Sequence, residues 1–174
     1  KFDFSDTAIA IADASWHGAG TFGYSKEASR FFVTKGTGTI GAQMTEWFSH
    51  QIEWPEELKL RSPLKITAEQ LAWRAGGNIS FDGQVTGAGG PLLSLVTVKN
   101  PQWLAVQNLT IEDGDRRARV SFLFAKDQLE LAFSGALAQP TIDKIFASFP
   151  AKDGELNGDI QLSASLKSPM TGSG

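Results

Sequence analysis

Apolar and polar residues alternate with period two in several stretches of this chain, and loop-forming residues separate those stretches. The clearest are Ala118-Val120-Phe122-Phe124, Leu129-Leu131-Phe133 and Ile160-Leu162-Ala164-Leu166. Between them stand Arg119, Ser121, Glu130, Gln161, Ser163 and Ser165, which suit water. Successive side chains of a strand point to opposite faces, so each apolar set lies on one side of a sheet. The fold class this pattern predicts is mainly β: a long antiparallel curved sheet, groove or sandwich-like, with one or two short helices.

The same reading extends along the chain. Residues 1–16 alternate with a slip in phase, since Phe2 and Phe4 share one parity and Ile9 and Ile11 the other; a β-bulge near Asp6 and Thr7 reconciles them. His17-Gly18-Ala19-Gly20 and Gly36-Thr37-Gly38 read as turns, with short strands at 21–24 and 30–34 and Ser25-Lys26-Glu27 between those strands. In 39–53, Ile40, Met44, Trp47, Phe48 and Ile52 fit a helical stripe about as well as a strand. Trp54-Pro55 breaks the pattern. Residues 64–73 read as a strand with a second slip, Leu64 and Ile66 against Leu71 and Trp73. Strands follow at 79–85, 92–98, 103–111, 117–125, 128–135 and 156–166, with turns at Gly76-Gly77, 87–91, Asp113-Gly114 and Lys126-Asp127. The 92–98 strand is apolar on both parities, which suits cover on two sides. Pro140 opens the clearest helix, 140–149, with Ile142, Ile145, Phe146 and Phe149 on one stripe and Pro150 closing it.

Composition narrows the function classes. With 174 residues, 41% of them hydrophobic, the chain suffices for one domain with a real core. Twelve Phe and five Trp against one Tyr skew the aromatic content towards purely apolar bulk. A net charge of -3, with Lys and Arg spread along the chain, argues against a nucleic-acid partner. The absence of cysteine excludes disulfides, thiolate metal sites and Cys nucleophiles. The start at Lys1 and the end at Met170-Thr171-Gly172-Ser173-Gly174, just after a strand, lead us to expect a single β-rich domain, 1–174, that is a segment of a longer protein.

Candidate chemistry is thin. Gly18-Ala19-Gly20-Thr21-Phe22-Gly23 and Gly36-Thr37-Gly38-Thr39-Ile40-Gly41 match the dinucleotide spacing literally, but neither has the long helix that a phosphate site needs, so their glycines are assigned to positive-φ turns and bulges. Asp153, Glu155, Asn157 and Asp159 place Gly158 at position six of a calcium loop but Ala164 at position twelve, which fails. His17 and His50 are the two histidines, and no Gly-x-Ser-x-Gly elbow accompanies them. Asp143 and Lys144 read as solvated positions on the polar side of the helix, and Glu112-Asp113-Gly114-Asp115 as a hairpin tip. Glu53, Glu56 and Glu57 cluster as ordinary surface acids. Trp16, Trp47, Trp54, Trp73 and Trp103 raise a carbohydrate-stacking alternative, against which stands packing of each ring in the core or at a rim. No catalytic residue, metal or cofactor is expected.

From Trp47 on, an ordered set of motifs adds a resemblance. It runs Trp54-Pro55, Arg61-Ser62-Pro63, Leu71-Ala72-Trp73, Gly90-Pro91-Leu92-Leu93-Ser94-Leu95, Leu109-Thr110-Ile111-Glu112-Asp113-Gly114, Phe133-Ser134-Gly135-Ala136-Leu137, Gly154-Glu155-Leu156-Asn157-Gly158-Asp159 and Ser168-Pro169-Met170-Thr171-Gly172-Ser173-Gly174. This order, over 46–174, resembles the AsmA-like family of bacterial envelope proteins, particularly their C-terminal region; 1–45 are less recognisable. The resemblance implies a periplasmic location, a parent protein anchored in the inner membrane, and an apolar β-groove implicated in phospholipid transport and envelope biogenesis. It implies no enzymatic residues. The expected partners are phospholipid or acyl chains and neighbouring repeats of the parent protein. The candidate lipid-binding residues are Val120, Phe122, Phe124, Leu129, Leu131, Phe133, Ile160 and Leu162. The rival readings are a structural or interaction β module and a carbohydrate-binding β-sandwich.

Overall fold

Eleven strands follow one another across a single sheet in the order in which they occur in the chain. The computed structural model describes residues 1–24, 29–51, 56–149, 154–165 and 171–173. The strands are β1 (Phe2–Ile11), β2 (Ala14–Tyr24), β3 (Ser29–Ile40), β4 (Leu64–Arg74), β5 (Asn78–Gly87), β6 (Leu92–Lys99), β7 (Trp103–Asp113), β8 (Arg116–Ala125), β9 (Gln128–Ala138), β10 (Glu155–Ser165) and β11 (Thr171–Ser173). Helix α1 (Ala42–Gln51) follows β3, a 3-10 turn (Glu56–Leu58) precedes β4, and α2 (Gln139–Ile145) follows β9. Each strand pairs antiparallel with its sequence neighbours. The expected antiparallel curved sheet with two short helices is therefore what forms. Among the described residues the sheet is open and single, so the groove-like form holds and the sandwich-like form does not.

Register turns the alternation into a surface. One cross-strand row starts Phe4, Gly20, Val33, Leu71, Phe81 and continues through Thr97, Val106, Phe122, Leu131 and Leu162. The next row towards the helices holds Gly36, Ala68, Gly83, Leu95, Leu109, Val120, Phe133 and Ile160. Between these two rows, Phe4/Thr7, Val33/Gly36, Ala68/Leu71 and Val106/Leu109 are three residues apart instead of two. Four bulges thus line up across the sheet, and each adds local bend and twist. Both parity slips expected from sequence, near Asp6 and within 64–73, lie on this line. Asp6 takes φ 49°, as a bulge residue does.

Several sequence expectations need correction. His17-Gly18-Ala19-Gly20 and Gly36-Thr37-Gly38 are strand interiors, not turns, and Gly18 pairs with Gly36. Their glycines serve close approach rather than positive φ. A Cβ at Gly36 would lie 2.2 Å from Cζ2 of Trp16, and one at Gly20 would lie 2.3 Å from the Phe32 carbonyl. Residues 39–53 resolve in favour of the helix, over Ala42–Gln51. The expected 140–149 helix ends at Ile145, because Phe146 leaves helical geometry and bridges to Leu60. All eight residues of β6 are half-buried and none is buried, so it is not covered on two sides. Residues 25–27, Ile52, Glu53, Trp54-Pro55, Pro150, Asp153 and Leu166 lie outside the described residues.

Helix α2 rests on the apolar face. Ile145 of α2 packs with Ile111, Ala118 and Phe133 of β7–β9, and Leu60, Leu93, Leu109, Val120, Phe146 and Ile160 surround this cluster. The backbone N–H of Arg61 donates to Ile145 O at 2.9 Å, so the 59–61 segment and α2 form one strap across the sheet.

Candidate functional site

The apolar face has three zones. Over β6–β10 the strap covers it and makes the core just described. Over β1–β5, α1 stands off the sheet, and Met44, Phe48 and Leu60 look across a cavity of about 600 Å³ at Ile9, Trp16, Ile66 and Phe81. Beyond the bulge line, away from both helices, runs a row of Phe2, Phe22, Phe31, Trp73 and Ile79, interrupted at β6 by Lys99 and resumed by Leu104, Phe124 and Leu129. This last zone is open: Phe2 is 66% and Phe124 50% exposed, and Phe22 and Trp73 are exposed as well.

The eight residues expected to bind lipid come together in one patch. Val120, Phe133 and Ile160 are register partners; so are Phe122, Leu131 and Leu162; and Phe124 pairs with Leu129. They divide by cover. Phe133 is 6% exposed, with Val120 and Ile160 against the same core beneath α2, so these three hold the fold. Phe122, Leu129, Leu131 and Leu162 are half-buried and Phe124 is exposed, so these five remain available to a guest.

Aromatic rings lie over glycines in the β1–β5 zone. Trp16 covers Gly36 and Gly38, Phe4 covers Gly20, and Phe81 covers Gly83, each close enough that a Cβ at the glycine would overlap the ring. Phe4 also stacks on Phe31, with centroids 6.0 Å apart. The result is a floor of flat rings with few protruding side chains. The indole Nε1 of Trp16 is buried without a hydrogen-bond partner among the described residues. An unpaired buried donor costs about 1–3 kcal/mol.

Polar side chains fix the two helices. Asp13, in the β1–β2 turn, accepts from the N–H groups of Gln43 (2.8 Å) and Met44 (3.0 Å), and its carbonyl accepts from Gly41 N–H at 3.0 Å. A carboxylate here satisfies free donors at the first turn of α1 and opposes the positive end of the helix dipole. Gly41 is needed for this approach, because a Cβ there would lie 2.3 Å from Asp13 Oδ2. At the other helix, Asp113 accepts from Thr141 Oγ1 at 2.7 Å and from Lys144 Nζ at 2.7 and 2.9 Å. The Lys144 and Thr141 hydrogen bonds hold the Asp113 carboxyl below its ordinary range. Lys144 and Asp143 are thus not merely solvated: Lys144 ties α2 to the β7–β8 hairpin, and Asp143 accepts from Gln139 Nε2 at 2.7 Å. His17 lies on the outer face of β2, with Nε2 2.9 Å from Asp6 Oδ1, and not in a turn.

Sequence reasoning missed Asp13, Gly41 and the Trp16–glycine floor. The floor had a signal, since Ala14, Trp16, Gly18, Gly20 and Phe22 keep one parity through the supposed turn. Asp13 had none, because a cap donated from thirty residues away leaves no local spacing. Among the described residues, no group of three or more His, Asp or Glu is placed to hold a metal ion. No described helix is long and apolar enough to cross a membrane. No family model, no curated protein and no solved structure matches the chain.

Proposed function

We propose that this chain is a non-enzymatic, lipid-handling segment of an AsmA-like envelope protein, in a periplasmic setting, with the parent anchored in the inner membrane and the segment taking part in phospholipid transport between inner and outer membranes. The observation that carries the reading is the uncovered row from Phe2 through Phe22 and Trp73 to Phe124, continuous with the half-buried Phe122, Leu131 and Leu162. Contiguous exposed apolar surface marks a binding face. Each methylene buried against it contributes about 0.8 kcal/mol, so a chain of acyl carbons binds without specific polar contacts. Register carries the face across successive strands, and a guest meets apolar groups at most steps, with Lys99 and Thr97 of β6 as the interruptions. Such a surface favours sliding over deep capture.

The test is delipidation followed by native mass spectrometry of the chain as purified, with titration of a fluorescent fatty-acyl probe into the delipidated protein. Co-purifying lipid and saturable probe binding are expected. Phe122→Ser combined with Leu131→Ser is expected to weaken probe binding on the open face at least tenfold. Absence of both lipid and probe binding would overturn the proposal.

A further inference from the structure

The cavity under α1 lies on the opposite half of the sheet from the eight residues singled out by sequence, and its chemistry is narrower than theirs. We infer that it is a separate, lidded site for a single acyl chain, with Trp16 in its floor and α1 as its lid. This deepens the lipid reading and rests on it.

Among the described residues no charged side chain lines the cavity, and its hydroxyls are Ser15, Thr45 and Ser49. Thr45 Oγ1 donates to Gly41 O at 2.7 Å and Ser49 Oγ to Thr45 O at 2.9 Å, so both lid hydroxyls spend their protons inside α1. The occupant therefore meets hydrocarbon. A volume of about 600 Å³ holds roughly twenty water-sized groups, which is one long acyl chain and not two. The floor crosses five strands, roughly 19 Å at the usual spacing, which is the reach of one extended chain. Other cavities differ in kind: the one over β7–β10 includes Gln107, Glu130 and Gln161.

The mouth and the hinge are both visible. Ile9 and Ile11 line the cavity and are exposed, so it opens along β1. The first turn of α1 is pinned by Asp13, while Trp47 and Phe48 further along it are exposed. A helix whose tertiary hydrogen bonds lie at its first turn can pivot there without unfolding the sheet. A two-tailed lipid would place one tail under α1 and leave the other on the open row.

Two single-tryptophan proteins test this. One keeps Trp16 and carries Trp→Phe at the other four positions; the other has Phe at all five and Phe122→Trp. Each is titrated with stearic acid bearing a nitroxide near its methyl end, with circular dichroism confirming the fold. Quenching of Trp16 is expected to saturate at one equivalent, at a concentration at least fivefold below that needed for the Phe122→Trp reporter. Ser49→Phe, which fills the cavity from the lid, is expected to abolish Trp16 quenching; Met44→Phe serves if that protein does not fold. Quenching of the Phe122→Trp reporter first, or Trp16 quenching undisturbed by the filling variants, would overturn the lidded site and leave the lipid reading standing. Quenching of neither reporter would sink both.

Discussion

Glycine in this protein acts mainly by letting something else lie close. Gly36 sits under the Trp16 indole in a strand interior, where glycine would otherwise weaken the sheet. Gly36→Ala is expected to lift that ring, cost about 1–3 kcal/mol by the usual scale for overpacking, and change Trp16 emission; equilibrium denaturation with the fluorescence spectrum checks it. Gly135 belongs to a different class. It combines φ 104° with a Cβ position 2.3 Å from Arg117 O, so backbone conformation and space both demand glycine. The two roles look alike in the one-letter code. That is why Gly18, Gly20, Gly36 and Gly38 read as turn residues: the ring near each comes from another position in the sheet.

Each helix depends on one remote carboxylate, and the two are separable. Asp13→Ala removes both side-chain acceptors from the α1 N-terminus and is expected to cost about 1–2 kcal/mol, with α1 amides losing hydrogen-exchange protection while β6–β9 keep theirs. Asp113 governs α2 and brings a pH dependence. Its folded pKa is lowered, so its contribution is present above the unfolded value of about 3.9 and lost as pH falls through the lower folded value. Asp113→Asn is expected to flatten that acid limb in melts between pH 5 and roughly pH 2, since the neutral amide has no charge to lose. The strands from β4 onward were largely legible, because alternation with turn residues reports directly on a half-buried sheet. The length of α2 was not, because Phe146 keeps the helical stripe in sequence but is drawn into a bridge with Leu60. The eight-residue patch was legible as one face, since parity carries through register. The cover that splits it was not, because parity says nothing about which part a distant strap will overlie.

The whole molecule is one open ribbon of strands, and β1 is a ten-residue edge. An edge with unpaired backbone groups recruits other strands, and the bulge at Asp6 only interrupts it. The rival interaction-module reading draws on the same feature, with neighbouring repeats as the natural partner. Concentration-dependent light scattering is expected from the isolated chain. Ala8→Lys with Ala10→Lys is expected to reduce it while shifting the melting temperature little, since both side chains are exposed. Because, among the described residues, each strand hydrogen-bonds to its predecessor and successor in the sheet, the ribbon is close to one-dimensional. Its span is then a matter of counting hairpins: one more pair inserted or removed at an end lengthens or shortens the ribbon by two strand widths, roughly 10 Å, without rethreading what is already built.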